Sequence, residues 1–143
     1  MTAMNVEFLC PHCRAENRAA DLPREDFVCK KCGQKVRLPM SAESRDSGLI
    51  ERCAVCGKNG FYLQKDFNPR LGILIFAIGV LFSYHTKFLS LFIATAIDFI
   101  LYYVLPTVTV CYQCRAIYRD FKENPQHQGF NHVTALKYSK TAT

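Results

Sequence analysis

The sequence predicts a small β fold of two cysteine-stapled ribbons, with an α-helical hairpin inserted into the second. Three observations lead there. The eight cysteines stand as four CxxC pairs, Cys10/Cys13, Cys29/Cys32, Cys53/Cys56 and Cys111/Cys114. Short runs of β-type residues flank the pairs. The long apolar stretches, Leu71 to Tyr84 and Phe88 to Leu105, both fall between the third pair and the fourth. If those two pairs close on one metal ion, the chain between them must leave and return to one point. The apolar region is then a hairpin.

Composition sets the limits. At 143 residues there is room for one ordinary domain or two small ones. The flanks of the apolar region are polar, too poor in core residues to hold a small unit together without a staple. The start, Met1-Thr2-Ala3-Met4-Asn5, lacks the basic residues and apolar core of a signal peptide. The cysteines are therefore expected in a reducing compartment, where such pairs bind metal rather than form disulfides. A net charge of +6 fits anionic lipid headgroups or nucleic acid without choosing between them.

Residues 1–40 are expected to form the first ribbon. Val6-Glu7-Phe8-Leu9 is a strand-like run leading into Cys10-Pro11-His12-Cys13. Phe27-Val28 leads into Cys29-Lys30-Lys31-Cys32-Gly33, and Lys35 to Leu38 leads away. The spacing C-x2-C-x15-C-x2-C is that of a four-thiolate zinc site, each tight turn placing two sulfurs on one side. Gly33 suits the left-handed position that ends such a turn. A redox-active CxxC would open a helix in a βαβ setting, which is missing here. His12 reads as a solvated turn residue.

Spacing alone leaves the pairing open, because the second and third pairs could share one metal and the first and fourth another. The polar stretch from Pro39 to Gly48 favours sequential pairing, since residues 41–50 read as a linker between two units. The expected cofactor is two zinc ions, one on Cys10, Cys13, Cys29 and Cys32, the other on Cys53, Cys56, Cys111 and Cys114.

The second ribbon is expected over 51–121. Phe61 to Phe67 reads as a strand leaving the third pair, broken by Asn68-Pro69. Thr107-Val108-Thr109-Val110 reads as a strand entering the fourth pair, and Arg115 to Phe121 as one leaving it. The insert, at about 70–105, is apolar all round, and nothing else in the chain could cover two such helices. A membrane hairpin follows, either spanning or re-entrant. Its arms are short against the roughly 20 residues that a span needs, and spanning is the favoured expectation. Small residues, Gly72, Gly79 and Ser83 on one arm and Ser90, Ala94 and Asp98 on the other, could let the backbones approach. Asp98 is costly in lipid and a functional candidate by default. Counting from a turn at Thr86 places it within reach of Arg70, so a structural ion pair of Arg70 with Asp98 is expected. Cations cluster at the base of the hairpin (Lys58, Lys65, Arg70, Arg115, Arg119, Lys122), which puts both ribbons on the cytoplasmic side of a membrane.

These features resemble the LITAF-type domain (lipopolysaccharide-induced TNF-alpha factor), a zinc ribbon whose two CxxC halves are separated by a membrane-inserting apolar segment. Cys53, Cys56, Cys111 and Cys114 match its ligand positions, and Cys114-Arg115-Ala116 is similar to its closing knuckle. The resemblance covers about residues 50–121. It departs in the longer insert, in Thr109 where the family has a histidine, and in the additional amino-terminal ribbon. It implies a monotopic or peripheral membrane protein.

The polar tail, 122–143, is expected to fold back on the second ribbon, with one helical turn over Val133 to Tyr138 and with His127 and His132 free of metal. The function expected is that of a non-enzymatic, membrane-anchored binding or adaptor module, with the lipid bilayer and a protein as partners. A four-thiolate site is closed and has no open position for substrate water. The alternatives are a membrane-tethered nucleic-acid-binding protein acting through the basic first ribbon, and a thiol redox protein.

Overall fold

The structure, a computed structural model, describes residues 4–22 and 26–140. The chain divides into two compact units: 1–64 with 107–143, and 65–106. In the first unit the strands β1 (Met4–Leu9), β2 (Glu16–Leu22), β5 (Phe61–Lys65), β6 (Thr107–Cys111), β7 (Ile117–Arg119) and β8 (Gln128–Gly129) form one sheet. Its order is β2-β1-β7-β6-β5-β8. The strands β3 (Asp26–Val28) and β4 (Lys35–Arg37) make a separate two-stranded hairpin. Phe27 of that hairpin meets Phe8 of β1 edge-to-face, with ring centroids 5.4 Å apart.

The sheet joins the two cysteine-bearing halves. Asn5, Val6 and Glu7 of β1 pair with Arg119, Tyr118 and Ile117 of β7. Alternation along β1 turns Val6 and Phe8 into a core shared with Tyr118, Ala116, Phe61 and the buried cysteines. Where the sequence suggests two modules joined by a polar linker, the structure has a continuous sheet and a common core. The stretch 41–50 is itself ordered. It holds helix α1 (Ala42–Ser47), capped by the Ser41 side chain and ended by Gly48 at φ 71. Lys122 N–H donates to Gly48 O at 3.0 Å, fastening this stretch to the far end of the chain.

The second unit is a helical hairpin, α2 (Pro69–Ser83) and α3 (Leu89–Val104). Asn68 caps α2 by accepting from Arg70 N–H, and Pro69 fills the first helical position, where its missing N–H costs nothing. The turn runs through Lys87 and Phe88, both in the left-handed region at φ 50 and 69. At the base, Asp66 N–H donates to Pro106 O and Lys65 Nζ to Leu105 O. The arms touch at Gly79, where a Cβ would lie 2.8 Å from that of Ala94, and Ser90 Oγ donates to Gly79 O at 2.8 Å. The expected close approach through small residues is present there.

Two expectations for the hairpin are corrected. No helix of the described residues is long and apolar enough to cross a membrane. At 1.5 Å per residue the arms reach about 22 to 24 Å, against a hydrocarbon core of about 30 Å. Neither is the Arg70–Asp98 ion pair formed. Arg70 is exposed at the second position of α2, while Asp98 Oδ1 is buried without a hydrogen-bond partner, near Gly72. The turn is centred on Thr86 as expected, between the end of α2 at Ser83 and the start of α3 at Leu89, but Asp98 lies against Gly72, its Oδ1 3.9 Å from where a Gly72 Cβ would be.

The last element, α4 (His132–Lys140), follows β8. The tail does fold back: β8 pairs with β5 in parallel, Tyr62 against Gln128, and the Tyr138 ring stacks on Tyr112 at 5.7 Å.

Candidate metal centres

Each CxxC pair stands on the same local structure. In every case the first cysteine accepts at its carbonyl from the N–H four residues on, and donates its own N–H to the carbonyl five residues on. The bonds are Arg14 N–H to Cys10 O, Gly33 to Cys29, Gly57 to Cys53 and Arg115 to Cys111, all between 2.8 and 3.0 Å. The return bonds run from Cys10, Cys29, Cys53 and Cys111 to Ala15, Gln34, Lys58 and Ala116. The fourth-on residue lies in the left-handed region at all four turns: Arg14 at φ 55, Gly33 at 71, Gly57 at 72 and Arg115 at 57. Glycine meets that demand without strain; the two arginines meet it at a cost.

These knuckles gather the sulfurs into two groups, Cys10, Cys13, Cys29 and Cys32 in one, Cys53, Cys56, Cys111 and Cys114 in the other. Within each group the four sulfurs lie within 4.8 Å of one another. The pairing is sequential. Between knuckles, sulfurs lie 3.6 Å apart for Cys13–Cys29, 3.8 Å for Cys10–Cys32, 3.4 Å for Cys53–Cys114 and 3.6 Å for Cys56–Cys111. A tetrahedron of thiolates around zinc has edges of about 3.8 Å, given Zn–S near 2.3 Å. The residues fit a metal ion of that size, and either group could hold one.

Electrostatics points the same way. Four sulfurs so close cannot all ionise without a cation. In the second group S–H donors from Cys111 and Cys114, then the Tyr118 hydroxyl, hold Cys53 far below the thiol range against burial. Cys114 is driven up by its bonds to Cys111 and Cys53 and by burial. In the first group the backbone N–H groups of Cys32 and Lys31, then the Asn17 amide, bring Cys29 down to about 6. Cys32 rises to about 12, although the Gln34 N–H pulls it down, because burial and its thiol neighbours outweigh that pull. Each metal-free group thus keeps protons that a divalent cation would displace.

Two polar residues missed at the sequence level support the ligands. Tyr118, on β7 and 1% exposed, places its hydroxyl 3.1 Å from Cys53 Sγ while accepting Ala54 N–H at 2.9 Å. With Cys53 held as the thiolate, the hydroxyl proton goes to the sulfur. Asn17, on β2 and 4% exposed, donates from Nδ2 to Cys29 Sγ at 3.4 Å and accepts Lys30 N–H at Oδ1. Partners of this kind orient metal ligands and set their basicity. One signal was available for Tyr118, a tyrosine between Ile117 and Arg119 at an inward position of a short strand. None was available for Asn17, whose strand is nearly all polar or alanine.

The remaining candidates do not join the centres. His12 is exposed in the first knuckle; His127 lies against Phe61, ring centroids 5.0 Å apart, with Nδ1 buried and unpartnered. Compared with known proteins, the chain matches no family model, no curated protein and no solved structure.

Proposed function

We propose that the chain is a non-enzymatic binding module, stapled by two zinc ions and held at the cytoplasmic face of a membrane by its helical hairpin. The hairpin carries this reading. Away from the Gly79–Ala94 contact its apolar side chains are exposed along both helices, Leu81 at 75%, Phe92 at 74% and Val104 at 76%. A face of that extent marks a membrane or interaction surface. Its serine and threonine hydroxyls all donate to backbone carbonyls, Ser83 to Val80 O, Thr86 to Phe82 O, Ser90 to Gly79 O and Thr95 to Leu91 O. Hydrocarbon demands such internal pairing, and water does not. Tyr84 at the tip and Tyr102 and Tyr103 near the base stand where an interfacial segment keeps its aromatics. Arms shorter than the hydrocarbon core suit insertion to partial depth, as in the LITAF-type architecture. Closed four-thiolate sites supply structure, with no open coordination position for chemistry.

The test is flotation with liposomes containing anionic lipid, read together with metal content. The purified chain should rise with the vesicles and carry two zinc ions per molecule. A variant with Leu81→Asp and Phe92→Asp should keep both ions and stay in the dense fraction. A wild-type chain that fails to float, or that holds fewer than two ions, would overturn the reading.

A further inference from the structure

The outer face of the first three strands of the sheet carries a feature that neither the metal centres nor the hairpin uses. The registers Glu7 with Arg18, Leu9 with Glu16 and Glu7 with Ile117 put these side chains on one face, opposite the core. A trough of about 520 Å³ lies across them. Its walls include Lys30 of the second knuckle and Arg115 of the fourth, so residues from both metal centres border one depression. The floor is apolar, with Leu9 41% exposed and Ile117 half-buried beside it.

Its charges are unequal in availability. The Glu7 carboxylate is engaged by Arg119 and by Arg18, the latter at 3.7 Å. Lys30 and Arg115 form no ion pair among the described residues. The trough therefore offers two uncompensated cations around an apolar floor, with Glu16 as the acid left over. No aromatic ring lies on this face for a base to stack on, because Phe8 turns into the core at 3% exposure.

We propose that this trough docks an extended acidic segment of a protein partner. An apolar side chain of that segment rests on Leu9 and Ile117, and carboxylates on either side of it face Lys30 and Arg115. This deepens the binding-module reading and rests on it. Charge complementarity of this sort sets partner choice and speeds encounter, and the two knuckles hold Lys30 and Arg115 at fixed places. An intact pair of metal centres is then a condition for binding.

The experiment is fluorescence anisotropy on the full, metal-loaded chain in lipid nanodiscs. The probes are a labelled peptide of alternating Glu and Leu, its Lys–Leu counterpart, and a short oligothymidylate. The Glu–Leu peptide should bind, more weakly as salt rises, and Lys30→Glu with Arg115→Glu should weaken it by about tenfold or more. Leu9→Asp, which changes no residue of either knuckle, should weaken it as well. Metal content, measured on each variant, separates lost contacts from lost fold. Undiminished binding by variants that keep their metal would overturn the proposal, as would equal binding of the Lys–Leu peptide. Preference for the oligothymidylate would also overturn it and make the trough a phosphate surface. A chain that floats and holds two ions yet ignores the Glu–Leu peptide loses this proposal alone.

Discussion

Tyr118 concentrates two tasks in one oxygen, holding the Ala54 N–H and donating to Cys53. Burial and the charge on Cys53 push its own ionisation well above the tyrosine range, so it stays a donor at any working pH. Tyr118→Phe keeps the ring, which meets Phe61 and Phe121 edge-to-face, and removes only the hydroxyl. The Ala54 N–H is then buried without a partner, a cost of about 1–3 kcal/mol. Metal affinity at the second centre should fall by about 10- to 100-fold, with the first centre unchanged. Chelator competition on the two centres separately checks this, and equal weakening of both would refute it. The four left-handed knuckle residues were only partly legible. Gly33 advertised its role, whereas Arg14 and Arg115 gave no sign, because arginine has no preference for that backbone region and is held there by the two knuckle hydrogen bonds.

Among the elements, the tail from Asn124 onward is fastened by few contacts of a specific kind. Gly60 admits the Tyr138 ring so closely that a Cβ there would lie 2.3 Å from it. Asn131 N–H donates to the Tyr112 hydroxyl, inside the fourth knuckle. His127 is the weak point. Burial lowers its pKa below the ordinary 6.5, and its buried Nδ1 has no acceptor to receive a proton. Between the lowered value and about 6.5 the unfolded chain binds more protons than the folded one, so stability rises with pH through that window. It is complete above about 6.5, falls as the pH drops below it, and levels off under the folded pKa. Denaturation midpoints from pH 7.5 to 5.5 should show this slope, and His127→Leu should flatten it by the part the histidine contributes. An unchanged slope would place the sensitivity elsewhere. Strand β2 belongs to the same scale. Asn17-Arg18-Ala19-Ala20 has no β-branched residue, and its pairing with β1 makes it a strand.

For the whole molecule, metal should divide the chain into two stability regimes. The first unit packs its core directly around buried cysteines, Cys10, Cys29, Cys53 and Cys111. Its strands are short, and a core of this size depends on the staple. The hairpin contains no cysteine, and its helices close their own backbone hydrogen bonds. A strong chelator applied to the lipid-bound chain should therefore abolish the sheet signal in circular dichroism and leave the helical signal. Simultaneous loss of both would show that the hairpin depends on the metal centres.

The ligand set, the hairpin and the strands next to the knuckles were readable from residues alone, because CxxC spacing, apolar run length and β-branched runs act locally. Partnership between distant segments was not readable. Nothing in the spacing of Met4–Leu9 and Ile117–Arg119 announces that they pair, nor that Glu7 is held by arginines from two neighbouring strands. The failure of Arg70 to meet Asp98 has the same origin, since counting along two arms gives only relative height, while packing decides which side of each helix faces the other, and it sets Gly72 against Asp98 with Arg70 exposed. Local chemistry determined which cysteines form candidate metal ligand sets and which segments are apolar; three-dimensional packing decided that both candidate centres share one sheet and one core.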